Sequence, residues 1–331
     1  MTDGSGFIGS SAARLLWHHL TEAEPSVYSA EKDVPSLFQV RCFTQHGGFK
    51  GTLVVREDID VNEIHLRESM KKLPPSSRFT TTQGHPTGAK PTIDVVGVSN
   101  APRPAHLNRQ LALVLSALGV DPKFTVGLAS TAVADVLNLL ADPHHAQQYL
   151  RGDAGNNNPD VLEHLCYTMI AAGHSVTTEP YLRRRLEVIA RHRIKRWKAK
   201  LQIPFPGAAF MYGAPDPTGT LKPNEIYIKS TGVSGSSSSS SPFSGCGSSM
   251  HRNGRTLTAD DGPFEGPVLV TRAPSCHPGD VQPFTAVDSA DLQAALGSSF
   301  GNHVIFFSTQ GSVENQESIS CRESARGHFE L

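Results

Sequence analysis

From residue 105 to residue 200 apolar side chains recur at helical spacing, whereas on either side of that block short apolar segments alternate with turn formers. Leu107, Leu111, Val114, Leu115 and Leu118 follow three- and four-residue steps, which predicts an amphipathic helix ending near Gly119. Ala132 to Leu140 continues the pattern and stops before Pro143. Val161 to Ala172 predicts a third helix, with Gly173 as its terminator, and Tyr181 to Lys200 a fourth. The flanks carry strand and turn signals instead. Thr52 to Val55 predicts a strand, Val61 to Leu66 a second, and the Pro, Ser, Thr and Gly content of Pro74 to Pro91 a loop. Strand signals return over 201–230, at Pro267 to Val270 and at Val304 to Phe307. Strands segregated from a helical block predict an α+β chain, with residues 1–104 in a small barrel or sandwich rather than in alternating helices.

The 331 residues suffice for one to three domains. Thirty basic against 31 acidic side chains give a net charge of -1, so local rather than global charge must decide any polyanion partner. Mean hydropathy is -0.25, and no apolar run approaches the roughly 20 residues that span a bilayer, so no membrane partner is expected. The five cysteines, at 42, 166, 246, 276 and 321, are odd in number and lack Cys-x-x-Cys spacing. Together with the absence of a basic-then-apolar leader, they predict a reduced intracellular setting, nuclear or cytoplasmic. A Ser/Gly tract over 230–249 is expected to be a mobile insertion, and the polar tail 312–331 to be disordered.

Gly4, Gly6 and Gly9 satisfy Gly-x-Gly-x-x-Gly, and Tyr28 with Lys32 forms Tyr-x-x-x-Lys. Both features resemble short-chain dehydrogenases and epimerases, which bind NAD. The fingerprint needs a strand before the glycines and a helix after them, yet only Met1, Thr2 and Asp3 precede Gly4. The dehydrogenase reading is therefore third in rank, and a nicotinamide cofactor is expected to leave the melting temperature unchanged.

A different set of segments runs the length of the chain. Thr2 to Gly6 reads Thr-Asp-Gly-Ser-Gly, Gly48 to Gly51 reads Gly-Phe-Lys-Gly, and Leu66 to Leu73 reads Leu-Arg-Glu-Ser-Met-Lys-Lys-Leu. Further on stand Leu107 to Gln110, Pro206 to Gly213, Asp216 to Lys222, Thr271 to Asp280 and His303 to Gly311. Jointly these resemble the silencing-type RNA-dependent RNA polymerases of fungi and plants, in a pattern closest to basidiomycete members. Glu68 and Leu73 depart from the family's Leu-Arg-Pro-Ser-x-x-Lys-Phe element.

The resemblance implies pieces of two double-psi β-barrels with an intervening helical region. Residues 1–104 would hold the first barrel, 105–200 the helices, and 201–311 the start of the second barrel. It implies nucleotidyl transfer from nucleoside triphosphates on a single-stranded RNA template to give double-stranded RNA, with Mg2+ or Mn2+ as cofactor. Lys50, Lys72 and Arg272 match cations that contact phosphates in the family's active centre. His277 and Asp280 belong to a His-Pro-Gly-Asp turn expected to shape the site. Cys276 beside His277 supplies two ligands, which do not make a zinc site. Asp58 and Asp60 read as a solvated strand face, and Asp260-Asp261-Gly262 as a turn.

Two readings stand for the segment 181–200. Arg183, Arg184, Arg191, Arg193, Lys195 and Arg196 could lie along an RNA backbone, or they could form a solvated mixed-charge face. One departure limits the chemistry. The family's Asp-x-Asp-Gly-Asp loop is expected after Gly311, but the last aspartate is Asp291, which predicts a fragment without polymerase activity and without metal ligands. A non-catalytic RNA-binding module is accordingly the second reading. Oligomeric state is not readable from these features.

Overall fold

The computed structural model describes residues 4–25, 28, 33–59, 62–75, 90–99, 103–154, 161–229, 251–252, 255–256, 263–272, 274–310 and 328–330. The first sheet comprises β1 (Ser5–Gly9), β2 (Leu37–Thr44), β3 (Gly47–Arg56), β4 (Ile64–His65), β5 (Lys71–Leu73) and β6 (Thr92–Val98). Their order is β4-β1-β3-β2-β6, with β5 also beside β3. β2 and β3 form an antiparallel hairpin, while β1 runs parallel to β3 from Ser5↔Thr52 to Gly9↔Arg56. The ten residues of β3 take β1 along one half of an edge and β5 along the other.

The approach is tight where β1 begins. The Thr52 N–H donates to the Gly4 carbonyl at 2.9 Å, and a Cβ on Gly51 would collide with that same oxygen. Gly6 stands equally close to the His65 carbonyl of β4. These glycines serve strand-on-strand contact and not a phosphate-binding turn. β1 passes straight into α1 (Ser10–Ala23), with Gly9 as its extended N-cap, so the dinucleotide fingerprint has no glycine turn to occupy. Lys32 lies outside the described residues.

α1 covers one face of the sheet, burying Ala13 and Trp17 with Ile8, Phe38, Val40, Leu53, Val55 and Met70. This corrects the strand-only expectation for 1–104. Ala13, Leu16, Trp17 and Leu20 do repeat at helical spacing, but over one short stretch flanked by turn formers.

The helical layer contains α2 (Arg109–Ala117), α3 (Pro122–Asn138), α4 (Pro143–Ala154), α5 (Val161–Ala171) and α6 (Pro180–Lys200). Asn108 caps α2 by accepting the Leu111 N–H at 2.8 Å, and Asp121 caps α3 ahead of Pro122. Gly119 and Gly173 follow their helices at φ +90° and +91°, as helix-terminating glycines do. The helix expected at 132–140 is the second half of α3, and α4 was not foreseen. Leu111, Val136, Leu150, Leu182, Leu186 and Trp197 belong to the buried core of this layer. Among the described residues, no single helix is long and apolar enough to cross a membrane.

The second sheet draws on β7 (Arg103–Leu107), β8 (Ile203–Pro215) and β9 (Glu225–Lys229). A separate hairpin of β10 (His251–Arg252) and β11 (Arg255–Thr256) precedes β12 (Gly266–Arg272), β13 (Val281–Ala286), α7 (Ala290–Leu296), β14 (Val304–Phe307) and β15 (His328–Glu330). The order is β14-β9-β13-β12-β15-β8-β7, and β14 also pairs with β8. Six strands therefore close into a ring, and β7 extends it outside at β8. Met211, Ile226, Ile228, Val270, Ala286 and Ile305 fill a buried cluster drawn from five of those strands.

Two boundaries move. β7 begins at Arg103 but pairs with β8, so the division at 104 cuts a strand of the second sheet. β15 lies in the tail expected to be disordered, yet His328 to Glu330 pair with β8, and Phe329 and Glu330 also with β12. The tract 230–249 and residues 311–327 lie outside the described residues.

The ring meets the first sheet through Ala214, Tyr227, Val304 and Phe306, which pack with Phe7, Leu37 and Val54 and with Leu292 and Leu296 of α7. Fully burying such a side chain contributes about 1.5–3 kcal/mol, so this seam dominates over any single polar contact between the sheets. The turn entering β14 is strained as well as buried. His303 has φ +63°, and its N–H donates to the Lys229 carbonyl at 2.7 Å. Burial lowers the His303 imidazole to a pKa of about 4, so it is neutral in the fold.

Two outcomes follow for stability. Gly51→Ala forces β3 away from Gly4 and is expected to cost about 1–3 kcal/mol, read from urea unfolding; an unchanged midpoint would contradict the close approach. For His303 the unfolded chain binds the proton first, so its stabilising contribution is complete above about pH 6.5 and is lost as pH falls toward 4. His303→Asn, which tolerates the left-handed backbone, is expected to flatten the stability slope between those pH values in parallel melts. A variant with the same slope as the parent would contradict a buried neutral imidazole.

Candidate functional site

Strand alternation divides the first sheet between its two covers. Phe38, Val40, Cys42, Phe49, Leu53 and Val55 point toward α1. Leu37 and Val54 point the other way, into the seam with the ring. Lys50 lies four residues before Val54 on β3 and therefore shares the ring-side face. Directly opposite Lys50 on β2 is Arg41, whose Nη1 lies 3.7 Å from Asp94. The cations thus continue, along the same strands, a face whose other half is apolar and buried.

Lys72 reaches this neighbourhood through a bulge. Gly48 pairs with Leu73, but Phe49 pairs with Lys71, so Lys72 is the extra residue of β5. It is exposed, whereas Lys71 reaches back to Glu68 at 3.7 Å. The structure therefore brings Lys50 and Lys72 onto adjacent strands. Arg41 joins them, a contribution that sequence motifs missed. Its signal was period-two alternation in the Arg-x-Phe beside a turn.

Arg272 stands in the other sheet. It shares the inward side of β12 with Val270, and its Nε is 3.7 Å from the Asp280 carboxylate. Asp280 is buried and also accepts the N–H groups of Cys276 and His277, each at 2.9 Å. The His277 ring accepts the Gly279 N–H at 3.0 Å. These bonds tie the Pro278–Asp280 turn to the end of β12. Hydrogen bonds to a charged group contribute about 1.5–3 kcal/mol each, so Asp280 is the anchor of the turn. Thr271 and Ser275, on either side, bury hydroxyl groups that have no hydrogen-bond partner among the described residues.

The two regions are linked across the seam. A Cβ on Gly97 would lie 2.9 Å from the Tyr212 hydroxyl, and Gly97 pairs with Gln39, itself opposite Thr52. Next to Tyr212, Met211 pairs with Phe329, which pairs with Arg272. At about 4.8 Å per strand, the Arg272 backbone is roughly 10 Å from Met211. Lys50 and Arg272 therefore stand on different sheets, several strand spacings apart along this path.

The basic helix α6 is divided in use. Leu182, Leu186, Ile189 and Trp197 face the core. Arg193 is held inside the layer, 2.7 Å from Glu163 and 4.9 Å above the Tyr149 ring. Arg183 and Arg191 share Glu187 at 3.5 and 3.7 Å, and Arg196 donates to Gln202 at 3.1 Å. Arg184 and Lys195 are exposed.

Among the described residues, no cluster of three or more acidic side chains accompanies these cations. Among the described residues, the group of three potential metal ligands is His18, His19 and Glu22, exposed on α1. Two imidazoles and one carboxylate are a poor match to Mg2+, which prefers oxygen ligands in near-octahedral geometry. The described residues therefore do not fit a catalytic magnesium or manganese site.

A family model described as RNA dependent RNA polymerase matches residues 1–321. Among curated relatives, probable RNA-dependent RNA polymerase 2 of Oryza sativa is 25% identical over 88% of this chain and 22% of its own length. Probable RNA-dependent RNA polymerase 1 of the same species is 29% identical, over 77% of this chain and 28% of its own. The chain thus spans about a quarter of such relatives. The fold is similar to that of RNA dependent RNA polymerase QDE-1 from Thielavia terrestris, with a TM-score of 0.67, 19% identity, and coverage of 100% of this chain and 33% of that one. Polymerases of this family generally use divalent metal ions. With nearly its whole length matched, the chain belongs to the RNA-dependent RNA polymerase family.

Proposed function

We propose that this chain is the phosphate-positioning part of an RNA-templated RNA polymerase that makes double-stranded RNA for silencing. The observation that supports the proposal is that β3, which carries Lys50, and β5, which carries Lys72, are adjacent strands, with Lys50 on the face that abuts the ring. Their ammonium groups contact the nucleoside triphosphate or the RNA backbone, and Arg272 approaches from the ring's side. Asp280 and His277 keep the backbone path that presents Arg272. The six-strand ring supports an assignment of the two sheets as pieces of two double-psi barrels. The setting is intracellular, nuclear or cytoplasmic.

Exposed Arg184, Arg191 and Lys195 of α6, with Arg183 and Arg196, add a sequence-independent contact to single-stranded RNA. Arg193 is left out of that surface because Glu163 and Tyr149 hold it. A bound divalent ion would supply charge neutralisation at the attacking and leaving oxygens, but the described residues do not hold one, so no step is assigned through it. That same lack favours a second reading, a non-catalytic RNA-binding module.

Fluorescence anisotropy with a labelled single-stranded RNA over a salt series tests the binding part. Lys50→Ala and Lys72→Ala are each expected to reduce the slope of log affinity against log salt by about 1, as is each of Arg184→Ala and Lys195→Ala. Unchanged slopes would remove these residues from the interface. Residues 1–331 with template, nucleotides and Mg2+ or Mn2+ are expected to incorporate no nucleotide. Template-dependent incorporation would overturn the assignment of missing metal ligands.

A further inference from the structure

Beyond the cations, the ring-side face of the first sheet ends in a row that the phosphate contacts do not use. Phe43 of β2 pairs with Gly48 of β3, and Gly48 pairs with Leu73 of β5, so these three residues stand abreast on one face. Phe43 and Leu73 are 42% and 53% exposed, so two large apolar side chains meet the solvent side by side. Gly48 between them has no side chain, and the Leu73 side chain lies close against it, so that a Cβ there would press on Leu73 at 3.0 Å. Phe43 and Leu73 are therefore neighbouring apolar groups on one face, an aromatic ring beside an aliphatic side chain that leans over Gly48.

Two residues along the same strands, Arg41 and Lys50 are paired directly opposite one another. At about 3.4 Å per residue they lie roughly 7 Å from Phe43 and Gly48, close to the spacing between a base and the phosphates of its own strand. Arg41 pairs with Asp94 through an exposed 3.7 Å ion pair that a polyanion can displace. Lys72 stands in the bulge next to Leu73. An exposed aromatic bordered by cations on two sides is the arrangement by which single-stranded nucleic acids are held, with bases stacked on rings and phosphates on the surrounding charges. An apolar protein partner gains nothing from that border of positive charge.

We propose that Phe43, with Leu73 beside it, forms a stacking platform for one unpaired base of an RNA strand whose phosphates engage Lys50 and Arg41. This rests on the RNA-polymerase reading and adds to it a base-contacting residue outside the motifs that identify the family. Stacking does not discriminate strongly among bases, so the platform sets position along the strand rather than sequence.

The test compares two probes on the chain of residues 1–331, a labelled 12-nucleotide single-stranded RNA and inorganic polyphosphate, which has charge but no bases. Phe43→Ala is expected to weaken RNA binding by about tenfold, leave polyphosphate binding unchanged and leave the salt slope unchanged. Phe43→Trp is expected to bind RNA at least as tightly as the parent. Phe43 is exposed, so both variants should melt with the parent; if Phe43→Ala does not, Leu73→Ala and the tryptophan variant carry the comparison. Equal RNA affinity for parent and Phe43→Ala overturns the platform and leaves the polymerase reading standing. A parallel loss for RNA and polyphosphate also overturns it. If the parent binds neither probe, the RNA-contacting reading itself fails.

Discussion

The apolar seam between the first sheet and the closed ring decides where everything else in this protein can go. Phe7, Leu37 and Val54 on one side, with Tyr227, Val304 and Phe306 on the other, are nearly or fully excluded from water. Because side chains alternate along a strand, committing Leu37 and Val54 to the seam commits Arg41, Phe43 and Lys50 to the same side. A shift of one residue in β2 or β3 would bury the cations against α1 and expose the core. The register is therefore held by hydrophobic burial, and the polar end of the face inherits its direction from it. The candidate site is an edge of the core and needs no separate scaffold.

The ring contributes a second constraint. Closing six strands removes sheet edges that would otherwise be open to association, and the pairing of β14 with both β9 and β8 achieves this on one side. On the other side β15 bridges β8 and β12 over three residues. Arg272 lies at that bridge, opposite Phe329, and its orientation is held by Asp280. The turn from Pro278 to Asp280 is thereby fixed by a buried carboxylate, even though it is a loop by length.

Much of this was legible in the chain. The strand Val304 to Phe307 and the helix Tyr181 to Lys200 appear with nearly the predicted bounds, because their apolar periods are strong and their ends are marked. α1 was missed because it begins directly at the end of a strand, with no turn or polar cap to mark its start. β15 was missed because a three-residue strand in a polar tail has no period to read; the partners supply the pairing. Lys50 and Lys72 were singled out as candidates through motifs. The bulge that exposes Lys72 and the opposition of Arg41 to Lys50 are properties of register, which spacing along one strand does not encode. Arg193 shows the converse. Its sequence context is indistinguishable from that of Arg191, and only the packing of α5 beside α6 commits it to Glu163.

Photocrosslinking tests the central claim most directly. Single-stranded RNA carrying 4-thiouridine would be bound to residues 1–331 at low salt, irradiated, and the linked peptides identified by mass spectrometry. The account predicts crosslinks on the β2–β3 hairpin around residues 41–50 and on β5 at residues 71–73. Crosslinks confined to α6, or spread without preference over the surface, would contradict a polar face directed by the apolar seam.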